Sequence, residues 1–119
     1  MKKTILIVED EGIIALGLQS YLTSKNYNVL GIVKEGEKAI EMTRALNPDL
    51  IIMDVVIQGS INGVETCKNI KSFSNVPIIF LTGNCTEIIK NDKKCEGIPI
   101  YSKPIIMEDL KLAIDNILY

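Results

Sequence analysis

Leu50-Ile51-Ile52-Met53-Asp54 is the stretch that decides the fold: four apolar residues in unbroken succession, ending on a carboxylate. A half-exposed strand alternates apolar and polar residues, whereas a continuous run of strand length fits a strand buried on both faces, as in a parallel sheet. Outward from this run the pattern recurs at residues 5–8, 29–33, 78–81 and 98–101. Between the runs lie helical spacings: Ile14, Leu18, Tyr21 and Leu22; Ala39, Ile40, Thr43 and Leu46; Val64, Cys67 and Ile70; and Leu110, Ala113, Ile114 and Ile117. Asn47-Pro48 closes the second helix, Asn62-Gly63 opens the third, and Val76-Pro77 leads into the fourth strand. Five βα units in strict alternation, with right-handed crossovers, predict an α/β fold: a doubly wound parallel sheet of five strands with helices on both faces. The fourth unit is the weak one. In residues 86–97 only Ile88, Ile89 and Cys95 are apolar, which predicts a short or poorly anchored helix.

A chain of 119 residues suits one domain, taken as 1–119, and 47% hydrophobic residues with scattered prolines and glycines make it globular. The formal net charge of -2 excludes a nucleic-acid-binding face, which needs clustered Lys and Arg. The one basic cluster, Lys90, Lys93 and Lys94, is interrupted by Asp92 and reads as a solvated helix face. Cys67, Cys85 and Cys95 match no zinc spacing, and an odd count without an export signal predicts reduced thiols in the cytoplasm. Lys2 and Lys3 precede an apolar run that stops at Glu9 and Asp10, too short for a signal peptide, and no segment is long enough to span a membrane. The absence of histidine removes the usual general base and the phosphohistidine of a kinase, so any phosphoryl chemistry must use carboxylates.

In a parallel sheet all strand C-termini share one edge, where ligands bind at the switch point of the strand order. The residues after the runs are Glu9 and Asp10, Asp54, Thr82 and Lys103. Singly, each reads as well as a helix cap or a surface lysine. Together they make an acidic cluster, a hydroxyl and a cation at the ends of four strands, and the mutual repulsion of three carboxylates calls for a cation. A hard divalent ion, Mg²⁺ before others, fits oxygen ligands of this kind and implies a phosphoryl group. Asp54 can then attack phosphorus, with Lys103 and the metal neutralising the charge on the equatorial oxygens and Thr82 hydrogen-bonding a third.

These residues resemble the receiver domains of two-component response regulators along nearly the whole chain. The matching features are Ile5-Leu6-Ile7-Val8-Glu9-Asp10-Glu11, Asp49-Leu50-Ile51-Ile52-Met53-Asp54, Asn62-Gly63-Val64-Glu65, Pro77-Ile78-Ile79-Phe80-Leu81-Thr82-Gly83 and Lys103-Pro104, in order and at family spacing. The resemblance implies a flavodoxin-like sheet of order 2-1-3-4-5 and Asp54 as phosphoacceptor. It implies Mg²⁺ held by Asp10, Asp54 and the Val56 carbonyl, with Glu9 acting through water. It also implies a cis bond between Lys103 and Pro104, a histidine kinase or histidine phosphotransfer protein as donor, slow autodephosphorylation, a downstream protein target, and a monomer or weak homodimer. The family tunes hydrolysis at positions that correspond here to Val56 and Asn84, and an apolar Val56 predicts a long-lived phospho-form.

Three features depart from the family pattern. Residues 55–62 are one longer than in transcriptional regulators and resemble receivers attached to sensor kinases. The position three before Lys103, usually a switching aromatic, is Ile100, with Tyr101 one residue later and so on the opposite strand face. The weak fourth helix is the third departure, and with Ile100 it puts the family's usual output surface in question. Rival readings are a pseudo-receiver without phosphorylation, a haloacid-dehalogenase-type phosphatase, which wants an Asp where Val56 stands, and a flavodoxin-like electron carrier, whose phosphate loop the acidic residues 9–11 would oppose. The kinase, the stimulus and the target are not written in these residues, and Tyr119 can end a stand-alone regulator or one part of a longer protein.

Overall fold

The computed structural model describes residues 2–83 and 97–119. β1 (Thr4–Val8), β2 (Asn28–Val33), β3 (Leu50–Met53), β4 (Ile78–Thr82) and β5 (Ile100–Ser102) form one sheet in the order β2-β1-β3-β4-β5, with every neighbouring pair parallel. The order changes direction between β1 and β3, which sets the switch point beside Asp54. Because successive strand residues face opposite sides, the continuous runs feed two cores. Ile5, Ile7, Leu50, Ile52, Ile79 and Leu81 pack under α1 (Gly12–Ser24) and α4 (Met107–Leu118). Leu6, Val8, Ile51, Met53, Ile78 and Phe80 pack under α2 (Gly36–Leu46) and α3 (Gly63–Lys71). All of them are nearly or fully buried, and each such aliphatic side chain contributes about 1.5–3 kcal/mol over leaving it in water.

Differences from the sequence reading have local causes. β2 lies at the edge with a single neighbour, so only its Val33 is buried and the strand is not covered on both faces. β5 starts at Ile100, because Pro99 has no N–H for the ladder; its carbonyl still accepts from Phe80 N–H at 2.9 Å. In α4 Leu110 and Ile114 are buried and Leu118 is partly so, while Ile117 sits at the exposed margin, and in α2 Leu46 faces outward. Asn47 closes α2 in the left-handed conformation at φ 47°. Asn62 opens α3 with a reciprocal capping box: its side chain accepts from Glu65 N–H at 2.9 Å and the Glu65 carboxylate accepts from Asn62 N–H at 3.1 Å. The expected fourth helix, the Lys90, Lys93, Lys94 cluster, Asn84, Cys85 and Cys95 lie outside the described residues. Among those described, no helix is long and apolar enough to cross a membrane.

Candidate functional site

The ladder continues one residue past the strands and fixes the backbone of the residues that follow them. Asp54 N–H donates to Val8 O at 2.9 Å, Glu9 N–H to Val33 O at 2.9 Å, and Lys103 N–H to Thr82 O at 3.0 Å. Asp54 is also held from behind by the start of α3. Gly63 N–H donates to Val55 O at 2.7 Å, and a Cβ at Gly63 would fall 2.1 Å from Asp54 O and 2.7 Å from Val55 Cα. Only glycine lets the helix approach this closely.

The structure brings Glu9, Asp54 and Lys103 into contact. Lys103, joined to Pro104 by a cis peptide bond, places Nζ 2.6 Å from Glu9 Oε1, 2.8 Å from Asp54 Oδ2 and 3.3 Å from Glu11 Oε1. Glu9 and Asp54 are both buried, at 2% and 4% exposure. Burial pushes the Glu9 carboxyl up to about 6 and Asp54 adds repulsion, while hydrogen bonds from Lys103 and from Glu11 N–H pull the other way. Burial also opposes the charge on Lys103, but the hydrogen bonds and charges of Asp54 and Glu9 outweigh it and hold the ammonium above the usual lysine value. The second Asp54 oxygen, Oδ1, accepts from Val56 N–H at 3.2 Å.

Asp10, half-buried, lines the same cleft of about 370 Å³ as Asp54, Val56, Thr82 and Lys103. The three carboxylates whose oxygens lie within 4.8 Å of one another are Glu9, Glu11 and Asp54, a set able to hold a metal ion. Glu11 was not singled out from the sequence, where its place next to Glu9-Asp10 was the available signal. An all-oxygen donor set of this kind suits a hard divalent cation. Thr82 Oγ1 is buried and has no hydrogen-bond partner among the described residues, so the cleft contains a hydroxyl that can serve an incoming oxygen. Ile100 packs on the α2 and α3 side of the sheet and Tyr101 on the α1 and α4 side, opposite faces as their adjacency requires.

Against the cleft lies a second hollow of about 550 Å³, mostly apolar, in which Ile14, Gly17, Leu81, Ile105 and Met107 meet Glu11 and Lys103. Ile13 stands at its rim, 90% exposed.

Known proteins resemble this chain in sequence and fold. The chain is 38% identical over 115 residues to the uncharacterized transcriptional regulatory protein YrkP of Bacillus subtilis, covering 96% of this chain and 48% of that one. It is 29% identical to the transcriptional regulatory protein PdtaR of Mycobacterium tuberculosis, covering 95% of this chain and 55% of that one. The chain thus spans about half the length of these curated relatives. Among solved structures, the signal receiver domain of a modulated diguanylate cyclase from Desulfovibrio desulfuricans superposes with a TM-score of 0.90 at 31% identity, covering 99% of this chain and 94% of the other. The N-terminal domain of a response regulator/sensory box/GGDEF protein from Carboxydothermus hydrogenoformans gives 0.84 at 29%, covering 98% and 94%. The family described as response regulator receiver domain matches residues 5–115, through every strand and most of α4, and the chain accordingly belongs to the receiver domains of two-component response regulators.

Proposed function

We propose that Asp54 accepts a phosphoryl group from the phosphohistidine of a histidine kinase or histidine phosphotransfer protein, in a reaction that depends on Mg²⁺. The acyl phosphate then switches a protein-interaction surface. One observation carries the reading: a buried Asp54 paired with Lys103 shares its cleft with the orphaned hydroxyl of Thr82. A surface cap would need none of these. The Asp54 carboxylate attacks phosphorus, the P–N bond of the donor breaks, and the imidazole leaves. Lys103, already within 2.8 Å of Asp54, follows the new negative charge, and Thr82 donates its hydrogen bond to a phosphoryl oxygen. Bound by Asp10, Asp54 and the Val56 carbonyl, with Glu9 acting through water, Mg²⁺ would supply further positive charge against the phosphoryl oxygens.

The domain is no conventional enzyme: it catalyses its own modification and slow release. The Val56 side chain, 59% exposed at the cleft, offers no hydrogen bond to an attacking water, which favours a persistent phospho-form. The apolar hollow beside Lys103, with Ile13 at its rim, is the face we assign to the donor protein. We take residues 1–119 as one receiver unit acting in the cytoplasm, as a monomer or weak homodimer, on a downstream protein.

The test is incubation with Mg²⁺ and acetyl phosphate, read by intact mass. A phosphoryl adduct of about 80 Da that requires Mg²⁺, is absent in Asp54→Ala and decays more slowly than in chemotaxis-type receivers is expected. No adduct on the folded wild type overturns the reading.

A further inference from the structure

The long loop after Asp54 is fastened at its far side by the residues that lead into α2 and by its first turn, which take no part in the site. Gln58 N–H donates to Lys34 O at 2.9 Å, and Glu35 and Gln58 form a parallel bridge. Next to it, one carboxylate oxygen of Glu37 accepts from both Ser60 N–H at 3.3 Å and Ser60 Oγ at 3.2 Å. Between these contacts Gly59 has φ +98°, and a Cβ there would fall 2.8 Å from Glu37 Oε1. The carboxylate therefore rests directly on a glycine turn that no other residue could make without strain. Glu37 is suited to the task, because it lies in the first turn of α2, where the helix terminus favours an anion. Its own N–H and that of Ser60 hold its carboxyl below the usual range.

We propose that Glu37 is a positioning residue for the phosphorylation site: it clamps the β3–α3 loop onto the start of α2 and so fixes the Val56 peptide beside Asp54. The Glu37 contact falls on Ser60, and between it and Val56 the loop is also held by Gln58 N–H on Lys34 O. At the near end Val56 N–H donates to Asp54 Oδ1 at 3.2 Å and Val55 O accepts from Gly63 N–H at 2.7 Å, so the loop that Glu37 fastens leads back to a peptide that touches Asp54 itself. Ile57 packs against the core under α2 and α3, which pins its side chain, and the peptide that follows it is held by Lys34 O. An exposed carboxylate in surface hydrogen bonds adds little to global stability. Its effect should fall instead on the site that its loop shapes.

This inference rests on the reading of the Val56 carbonyl as a Mg²⁺ ligand, and the test separates the two. Mg²⁺ affinity is measured by isothermal titration calorimetry on the unphosphorylated full chain, and the Mg²⁺ dependence of phosphorylation by acetyl phosphate is measured in parallel. Partners one step removed from a metal ligand typically alter affinity about 10- to 100-fold; acting through a loop, Glu37→Ala should weaken Mg²⁺ binding by about three- to tenfold and leave the rate at saturating Mg²⁺ within about twofold. Glu37→Gln, which keeps an acceptor oxygen, should recover most of the loss, and Ser60→Ala added to Glu37→Ala should cost nothing more. If Glu37→Ala fails to fold, Ser60→Ala decides alone, since it removes one of the two donors and must itself weaken Mg²⁺ binding. Wild-type affinity in the folded variant overturns the clamp, whereas a wild type with no Mg²⁺-dependent adduct on Asp54 overturns the underlying reading and the clamp with it.

Discussion

Replacing Thr82 by Val should make the resting protein more stable and the phosphorylated state less favourable. Thr82 is 1% exposed, and its hydroxyl has no partner among the described residues. A buried polar group left unsatisfied costs about 1–3 kcal/mol, and Val replaces the hydroxyl by a methyl of nearly the same shape. The position is the last residue of β4, where a β-branched side chain is retained, so strand preference changes little. The expected gain is about 1–2 kcal/mol, or roughly 4–8 °C in Tm for a domain of this size. Urea unfolding followed by circular dichroism in Mg²⁺-free buffer measures it, with Thr82→Ser as the control that keeps the hydroxyl. Repeating the measurement with Mg²⁺ and beryllofluoride should reverse the order of the gains: the wild type gains more, by about 1.5–3 kcal/mol, because its hydroxyl reaches a charged acceptor that Val cannot serve. A resting Thr82→Val less stable than wild type would refute the reasoning, since the hydroxyl would then have a native partner rather than a pending one.

Two further outcomes follow from the site. Gly63→Ala should cost about 3 kcal/mol or more in urea unfolding, because its Cβ meets the Asp54 carbonyl at 2.1 Å and the neighbour is main chain, while Gly83→Ala, with nothing within 4 Å, should stay within about 0.5 kcal/mol. Glu9 has a folded-state pKa raised from 4.5 to about 6, so the native state binds its proton more tightly than the unfolded chain does. The metal-free protein should therefore lose about 2 kcal/mol as pH rises through this window, a loss absent from Glu9→Gln when the two are compared by urea unfolding.

Most of the fold was legible because burial on both faces of a parallel sheet leaves unbroken apolar runs, and three of the five runs became covered strands. The runs at residues 29–33 and 98–101 looked the same in sequence, yet β2 and β5 sit at the two edges, and nothing local distinguishes an edge strand from a central one. The strand-end logic brought Glu9, Asp54, Thr82 and Lys103 to one edge, because every parallel strand delivers its next residue there. Asp10 lines the cleft, but the carboxylate that joins Glu9 and Asp54 near Lys103 is Glu11, a matter of side-chain direction that spacing does not reveal. The clamp between Glu37 and Ser60 was invisible for a related reason: it joins an ordinary acidic first-turn residue to a loop 23 positions away. Gly63 was read as helix punctuation, whereas its closest neighbour is the carbonyl of Asp54.

The groups that hold Asp54 and its neighbours in place are peptide N–H and C=O groups: Asp54 hangs from Val8, Glu9 from Val33, Lys103 from Thr82, and a glycine backs Asp54. Peptide groups are the same whatever side chains they carry. A lineage can therefore exchange one aliphatic residue for another throughout both cores, and most of the surface besides, while the cleft residues keep their places. Divergence of the order seen toward YrkP and PdtaR, with 38% and 29% of positions identical, is then no obstacle to a shared fold. Variation is free to accumulate on the outer faces, where one receiver must be told from another.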